Sequence, residues 1–210
     1  MAKFGPNSIR KMETTDSLKP LTLVFATHNP NKVAEVQALL GPTYHVKSLS
    51  DIGCHEEIVE DAENLEGNAR IKARHVAENY GLDCFADDTG LEVEALGGAP
   101  GVRSARYAGD AGGSEANMDK LLSEMSGVAE RGARFRTVIC LIQGGEEQLI
   151  EGECRGAIRA ERSGVEGFGY DPVFEPEGHA VTFAEMSREE KNEISHRGRA
   201  IRSMVKELRK

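Results

Sequence analysis

The sequence predicts an α/β protein, and three observations carry that reading. Apolar strands alternate with amphipathic helices from residue 21, a further apolar strand runs into paired carboxylates at Asp87 and Asp88, and a β-rich stretch precedes a helix near the C-terminal end. Residues 21–27 are apolar and β-branched, and residues 31–40 then place Val33, Val36, Leu39 and Leu40 on one helical stripe. Residues 44–49 suit a second strand. Residues 65–80 suit a longer helix with Ala69, Ala73, Val76, Ala77 and Tyr80 at i, i+3 and i+4 spacings, and residues 84–86 a third strand. This βαβαβ opening predicts a largely parallel sheet with ligands at the carboxyl ends of its strands, where residues 27–32 and 87–90 lie. Glycines at 97, 98 and 101 mark a turn, and residues 115–125 read as a helix. Residues 134–162 read as antiparallel β structure, clearest at 136–142 and 148–155, and residues 195–208 as the closing helix. Residues 1–20 are polar without a period and are expected to be a disordered extension. The remainder, 21–210, reads as one domain with no repeat and no low-complexity linker.

Composition narrows the function. A formal net charge of −9 argues against duplex nucleic acid as a partner, because a phosphate backbone recruits a basic face. A phosphate ligand is therefore expected to be small and metal-bound. Cys54, Cys84, Cys140 and Cys154 form no C-x-x-C pair, which fits reduced thiols in the cytoplasm better than a zinc knuckle or a disulfide framework. No apolar run has the length of a membrane span or the core of a signal peptide, so no membrane partner and no export are expected. His55-Glu56 does not extend to H-E-x-x-H, since position 59 is valine, and this excludes a zinc protease.

Four segments carry chemistry. In C-F-A-D-D-T-G at residues 84–90, strand alternation sends Asp87 and Asp88 to opposite faces. One can then ligate a hard cation such as Mg²⁺, which takes one or two carboxylates, while the other orients, caps or pairs. The competing account is an Asp-Thr-Gly turn. The loop Thr27-His28-Asn29-Pro30-Asn31-Lys32 opens a helix, so backbone N–H groups, the helix dipole and Lys32 favour an anion, unless it is an Asn cap with a solvated lysine. Phe168 and Tyr170 among Gly167, Gly169 and Asp171 offer stacking faces in a chain with only 5% aromatics, or alternatively a turn whose rings fill the core. Ser187 and Glu190 read as a capping box, and Lys191, His196 and Arg197 offer donors for a keto oxygen or phosphate, or else a charged helical surface.

Together these segments resemble the inosine/xanthosine triphosphate pyrophosphatases, which remove deaminated purine nucleotides from the nucleotide pool. The resemblance covers about residues 21–206. It is carried by A-T-H-N-P-N-K at 26–32, E-G-N-A-R-I-K-A-R at 66–74, F-A-D-D-T-G-L-E-V at 85–93, G-G-A-P-G-V-R-S-A-R-Y-A-G at 97–109, G-F-G-Y-D-P-V-F at 167–174 and A-E-M-S-R-E-E-K-N-E-I-S-H-R-G-R-A at 184–200. It implies a mixed sheet in two lobes with a substrate cleft, a homodimer, and Mg²⁺-dependent hydrolysis of ITP, dITP or XTP to the monophosphate and pyrophosphate. Carried over by position, Thr27, His28, Asn29, Pro30, Asn31 and Lys32 hold the triphosphate. Asp88 is the catalytic carboxylate and a metal ligand, and Thr89 touches substrate. Phe168, Gly169, Tyr170 and Asp171 enclose the base, and Lys191, His196 and Arg197 read its edge. His28 and Pro30 depart from the glycine-containing loop common in the family. Val59 stands where many members carry a carboxylate, which leaves Glu60, with Glu57 behind it, as the further metal ligand.

Overall fold

The computed structural model describes residues 20–208, so all of the expected extension except Pro20 lies outside the described residues. Strand β1 (Leu21–Phe25) leads into helix α1 (Pro30–Leu40), and β2 (Tyr44–Lys47) is followed by α2 (Leu65–Tyr80) and β3 (Cys84–Val93). The short β4 (Pro100–Gly101) and α3 (Gly113–Glu124) precede the long pair β5 (Gly132–Gln143) and β6 (Glu146–Ile158). Strand β7 (Phe174–Pro176) and helices α4 (Arg188–Ile194) and α5 (His196–Glu207) follow. Local chemistry accounts for several boundaries. Pro30 sits at the first position of α1, where its missing N–H costs nothing, and the Asn64 side chain accepts from Gly67 N to start α2. Gly81 ends α2 in the left-handed conformation, and Gly144-Gly145, both at positive φ, form the two-residue β5–β6 turn.

One mixed sheet runs in the order β2-β1-β3-β5-β6-β7, with β4 beside β3. The parallel part is smaller than expected: β1 pairs parallel with β2 and with the first two residues of β3, while the other pairings are antiparallel. The expected end of the third strand at residue 86 is also corrected. Strand β3 continues through the two aspartates to Val93, because β5 pairs with it from Cys84↔Ile142 to Val93↔Ala133. A ladder of that length overrides the turn propensity of Asp-Thr-Gly. Gly90 is needed there for room, since a Cβ would stand 2.5 Å from the Gly101 carbonyl oxygen. The closing helix is present as expected: α5 is capped by Ser195 through its bond from Gly198 N, and the separate short helix α4 precedes it from the Ser187 cap.

The long strands serve two lobes. At one end, Leu23, Phe25, Phe85, Ile139 and Leu141 pack against Val36 and Leu40 of α1 and Ile201 and Met204 of α5. On the opposite face of the same strands, Val24, Ala26, Cys84, Ala86, Val138 and Cys140 pack against Leu65, Ala69, Ala73 and Val76 of α2. At the other end, Leu91, Val93, Phe135 and Ile158 join Met118 and Leu121 of α3 with Phe174 and Phe183. Phe25 and Phe85 stack across the parallel pair with centroids 4.4 Å apart; each is fully buried, a burial that stabilises by about 1.5–3 kcal/mol per ring.

Helix α5 lies against β6 at Gly152, where a Cβ would meet the His196 carbonyl oxygen at 2.2 Å and Ala200 N at 2.5 Å. Both neighbours are backbone, so neither can swing aside. Gly152→Ala is expected to lower unfolding stability by roughly 1–3 kcal/mol in chemical denaturation, as for other overpacked cores. An unchanged midpoint would show that α5 is free to lift from the sheet.

Candidate functional site

Alternation along β3 separates the two aspartates. Asp87 follows Phe85 onto the face covered by α1 and α5, while Asp88 follows Ala86 onto the face covered by α2. Asp87 is 2% exposed, and its two oxygens receive Lys32 Nζ at 2.7 Å and Arg197 Nε at 3.1 Å. Arg197 Nη1 also donates to Glu35 at 2.9 Å, so one chain of charges joins α1, β3 and α5. Burial alone would raise the Asp87 carboxyl, but Lys32, Arg197 and Lys72 outweigh it and hold the group well below the usual carboxylate range. Asp87 therefore stays ionised.

On the other face, Lys72 Nζ donates to Glu60 at 2.6 Å and stands 3.6 Å from Asp88 Oδ1, while Asn68 Nδ2 donates to Asp88 Oδ2 at 3.2 Å. Burial pushes the Asp88 carboxyl up despite Lys72, with Glu60 and Asp87 adding repulsion. The Lys72 ammonium is driven the other way: burial would lower it, but Asp88, Glu60 and Asp87 prevail and raise it. A lysine between two carboxylates marks where positive charge belongs. Two carboxylates facing one cationic position also form the oxygen donor set that Mg²⁺ prefers. The chemistry of Asp88 and Glu60 therefore fits a hard divalent cation.

The facing wall comes from residues 168–171, α4 and α5. Asp171 Oδ2 accepts from Phe168 N at 2.8 Å and from Lys191 Nζ at 2.6 Å. Burial pushes the Asp171 carboxyl up against the pull of Lys191. Lys191 reaches this place because the Ser187–Glu190 capping box, present as expected, starts α4 beside it. The Phe168 ring is 49% exposed and lies 4.9 Å from Lys191 Nζ and 5.6 Å from Arg197 Cζ. His196 stacks on Phe135 with centroids 4.6 Å apart, and its Nδ1 is buried with no hydrogen-bond partner. Burial, with Arg197 and Lys191 nearby, lowers its pKa far below the ordinary value and keeps the ring neutral.

A cavity of about 410 Å³ brings Asn29, Lys32, Glu60, Asp88, Thr89, Phe168, Gly169, Tyr170, Asp171, Lys191, His196 and Arg197 together. A second, of about 290 Å³, adds Thr27, His28, Glu57 and Asp87 and shares Asn29, Lys32, Glu60 and Lys72 with the first. Pro30 and Asn31 line neither. The loop amides also differ from expectation, because Asn29 Oδ1 already accepts from Asn31 N and Lys32 N. Those two amides are thus used within the loop, while Lys32, paired with Asp87, lines both cavities. His28 is turned to the Glu56 carbonyl and Ser50. Thr89 shares a hydroxyl bond of 2.7 Å with Thr137, and Tyr170 is buried with its hydroxyl on the Ser104 carbonyl. Tyr170 thus fills the core, the second of the two sequence readings, and also lines the larger cavity. Asp171 is committed to Lys191 and Phe168 N, so it positions a cation instead of presenting a free carboxylate.

Sequence reasoning missed Asn68 and Lys72. Both lie on the buried stripe of α2 with Leu65, Ala69, Ala73 and Val76, and polar residues on an apolar stripe were the available signal. Ser104 and Arg106, which also line the larger cavity, follow a glycine-rich turn with no comparable periodicity, and Asn117, a further lining residue, lies on the buried face of α3 with Met118 and Leu121.

Comparison with known proteins agrees with this arrangement. A sequence model of the Ham1 family matches residues 23–207. A dITP/XTP pyrophosphatase of Flavobacterium psychrophilum is 53% identical over 185 residues, covering 88% of this chain and 97% of the relative. One from Bacillus subtilis is 46% identical over 189 residues, covering 88% and 96%. The structure of the Ham1 protein of Staphylococcus aureus superposes with a TM-score of 0.83 at 36% identity, over 90% of this chain and 98% of that one. A nucleoside-triphosphatase / dITP/XTP pyrophosphatase from Mycobacterium abscessus gives 0.73 at 41%, over 88% and 99%.

The buried neutral His196 predicts a pH dependence of stability. Its folded pKa lies below the unfolded value of about 6.5, so unfolding takes up a proton as pH falls below that value. The wild type should therefore lose up to about 1.4 kcal/mol per pH unit from this group between about pH 6.5 and 5. Denaturation of His196→Gln across that window should show a flatter dependence; parallel curves would mean that His196 is charged when folded.

Proposed function

The chain belongs to the Ham1 family, and on that premise we propose that it hydrolyses deaminated purine nucleoside triphosphates, ITP, dITP and XTP, to the monophosphate and pyrophosphate, with Mg²⁺ as cofactor. The observation that carries the reading is one cavity in which a carboxylate pair around Lys72 faces an exposed aromatic ring beside Lys191 and Arg197. The first set suits a metal-bound triphosphate and the second a purine.

Asp88 and Glu60 would hold Mg²⁺, with Asn68 orienting the Asp88 carboxylate. When bound, the ion supplies Lewis-acid polarisation of phosphate oxygens and a coordinated water of lowered pKa. Asp88 would orient a water for attack at the α-phosphorus, and Lys32 and Lys72 would offset the charge of the departing pyrophosphate. Phe168 stacks on the base. Lys191, held by Asp171, donates to the keto oxygen at C6 of hypoxanthine or xanthine, and the unpartnered His196 Nδ1 offers one further polar contact. Adenine carries an amino donor at C6, which would leave the Lys191 cation unpaired, and this accounts for its rejection. A homodimer in the cytoplasm completes the proposal.

Pyrophosphate release from ITP, XTP, dITP, ATP, GTP and dTTP, with and without Mg²⁺, tests the reading. Fast, metal-dependent release confined to the deaminated purines is expected. Turnover of none of them would leave a nucleotide-binding module instead. Asp88→Asn should abolish turnover without lowering the unfolding midpoint, and an active variant would remove Asp88 from the mechanism. Lys191→Met should reduce kcat/KM for ITP about 10- to 100-fold more than for ATP, the loss of a charged hydrogen bond. An equal loss on both would assign Lys191 to the phosphates.

A further inference from the structure

We propose that Cys54, Glu56 and His75 bind a borderline-soft divalent cation of the Zn²⁺ type, at a site separate from the two cavities. Among the described residues they are the only group of three His, Cys, Asp or Glu side chains whose ligand atoms all lie within 4.8 Å of one another. None of the three lines either cavity. His75 Nε2 is 3.7 Å from Cys54 Sγ and 3.0 Å from Glu56 Oε1. A tetrahedral zinc, with bonds of about 2.3 Å to sulfur and 2.0–2.2 Å to nitrogen and oxygen, separates such donors by roughly 3.3–3.6 Å. The two distances straddle that range and the third pair, Cys54 with Glu56, lies within 4.8 Å, so side-chain adjustments of about an ångström bring all three donors to a tetrahedral spacing.

The fold builds this triangle from two elements. Gly53, at φ 78°, turns the chain after residues 50–52, and the Cys54 amide donates to the Leu49 carbonyl at 3.0 Å, which sends the thiol into the interior. His75 projects from α2, and Glu56 closes the triangle from the solvent side, where Tyr80 donates to the same Oε1 at 3.4 Å. Thiolate, imidazole and carboxylate are a donor set for zinc, whereas Mg²⁺ takes oxygen ligands only. On binding, the thiol releases its proton to solvent and His75 ligates through Nε2. Three protein ligands leave a fourth position for water on the exposed side.

Occupancy bears on the neighbouring cavity through the chain. The Glu56 carbonyl accepts from His28 Nε2 at 3.2 Å, and Glu57 and Glu60 of the same segment line the smaller cavity. A cation joining Cys54 and Glu56 to α2 fastens the segment that carries these acids.

Titration of the purified full-length chain with Co²⁺, under reducing conditions and in excess Mg²⁺, tests the site. One equivalent should produce a thiolate-to-cobalt charge-transfer band with the strong visible bands of tetrahedral cobalt, and Zn²⁺ should bleach both. Cys54→Ser should abolish the charge-transfer band while Cys154→Ser retains it. His75→Gln and the solvent-facing Glu56→Gln, each checked for folding by circular dichroism, should weaken Co²⁺ binding by more than the roughly 10–100-fold lost when only a ligand's outer partner is removed. The proposal is overturned if the folded wild type shows no such band, if the band survives Cys54→Ser, or if His75→Gln and Glu56→Gln bind as the wild type does. None of these readouts depends on nucleotide turnover.

Discussion

The buried carboxylate of Asp87 is the constraint around which the rest is arranged. It sits mid-sheet with 2% exposure, and an unpaired ion there would be strongly destabilising. Lys32 from the start of α1 and Arg197 from the start of α5 each meet one of its oxygens, so both helices are held over β3 at their N-terminal ends. Two side chains proposed to meet the substrate are thereby positioned by a residue that points away from Asp88. The arrangement also joins segments 55 and 110 residues apart in sequence. Removing either cation would leave a buried charge only partly compensated.

A chain of net charge −9 can still receive a polyanion because its cations are concentrated where the chemistry is. Lys32, Lys72, Lys191 and Arg197 all line the larger cavity, each beside a carboxylate that pays part of the desolvation cost. Acidic partners thus keep the cations ordered, and a site arranged in this way needs little reorganisation for the metal-bound phosphate proposed above. Lys72, between Glu60 and Asp88, occupies the most charged point of this network. Burial and two opposing carboxylates leave room for either a shared lysine or a closer cation at those oxygens.

Legibility differed between local and long-range features. The capping box at Ser187 and Glu190, the apolar stripe of α1 and the bounds of α2 were readable because each depends on residues within one or two turns. The continuation of β3 past Asp88 was not, since its cause is the pairing partner some 50 residues later, and the local Asp-Thr-Gly signal pointed to a turn. The parallel content was overestimated for the same reason: β1 shares only Val24 and Phe25 with β3 before β5 takes over the ladder. Lys72 and Asn68 were hidden within a helix whose apolar stripe explained itself without them.

By itself the sequence determined the alternation that parts Asp87 from Asp88, the asparagine-capped loop ahead of α1, the aromatic and glycine cluster at 167–170, and, through the combined motifs, the family. These follow from dihedral periodicity, capping chemistry and residue type, which act over a few residues. Tertiary structure alone decided which cation meets which acid. It committed the Asn31 and Lys32 amides to Asn29, gave Asp171 to Lys191, brought Lys72 between Glu60 and Asp88, and set Cys54 and Glu56 against His75. Such pairings depend on distances between elements far apart in the chain, and only the packed sheet and its helices define those distances.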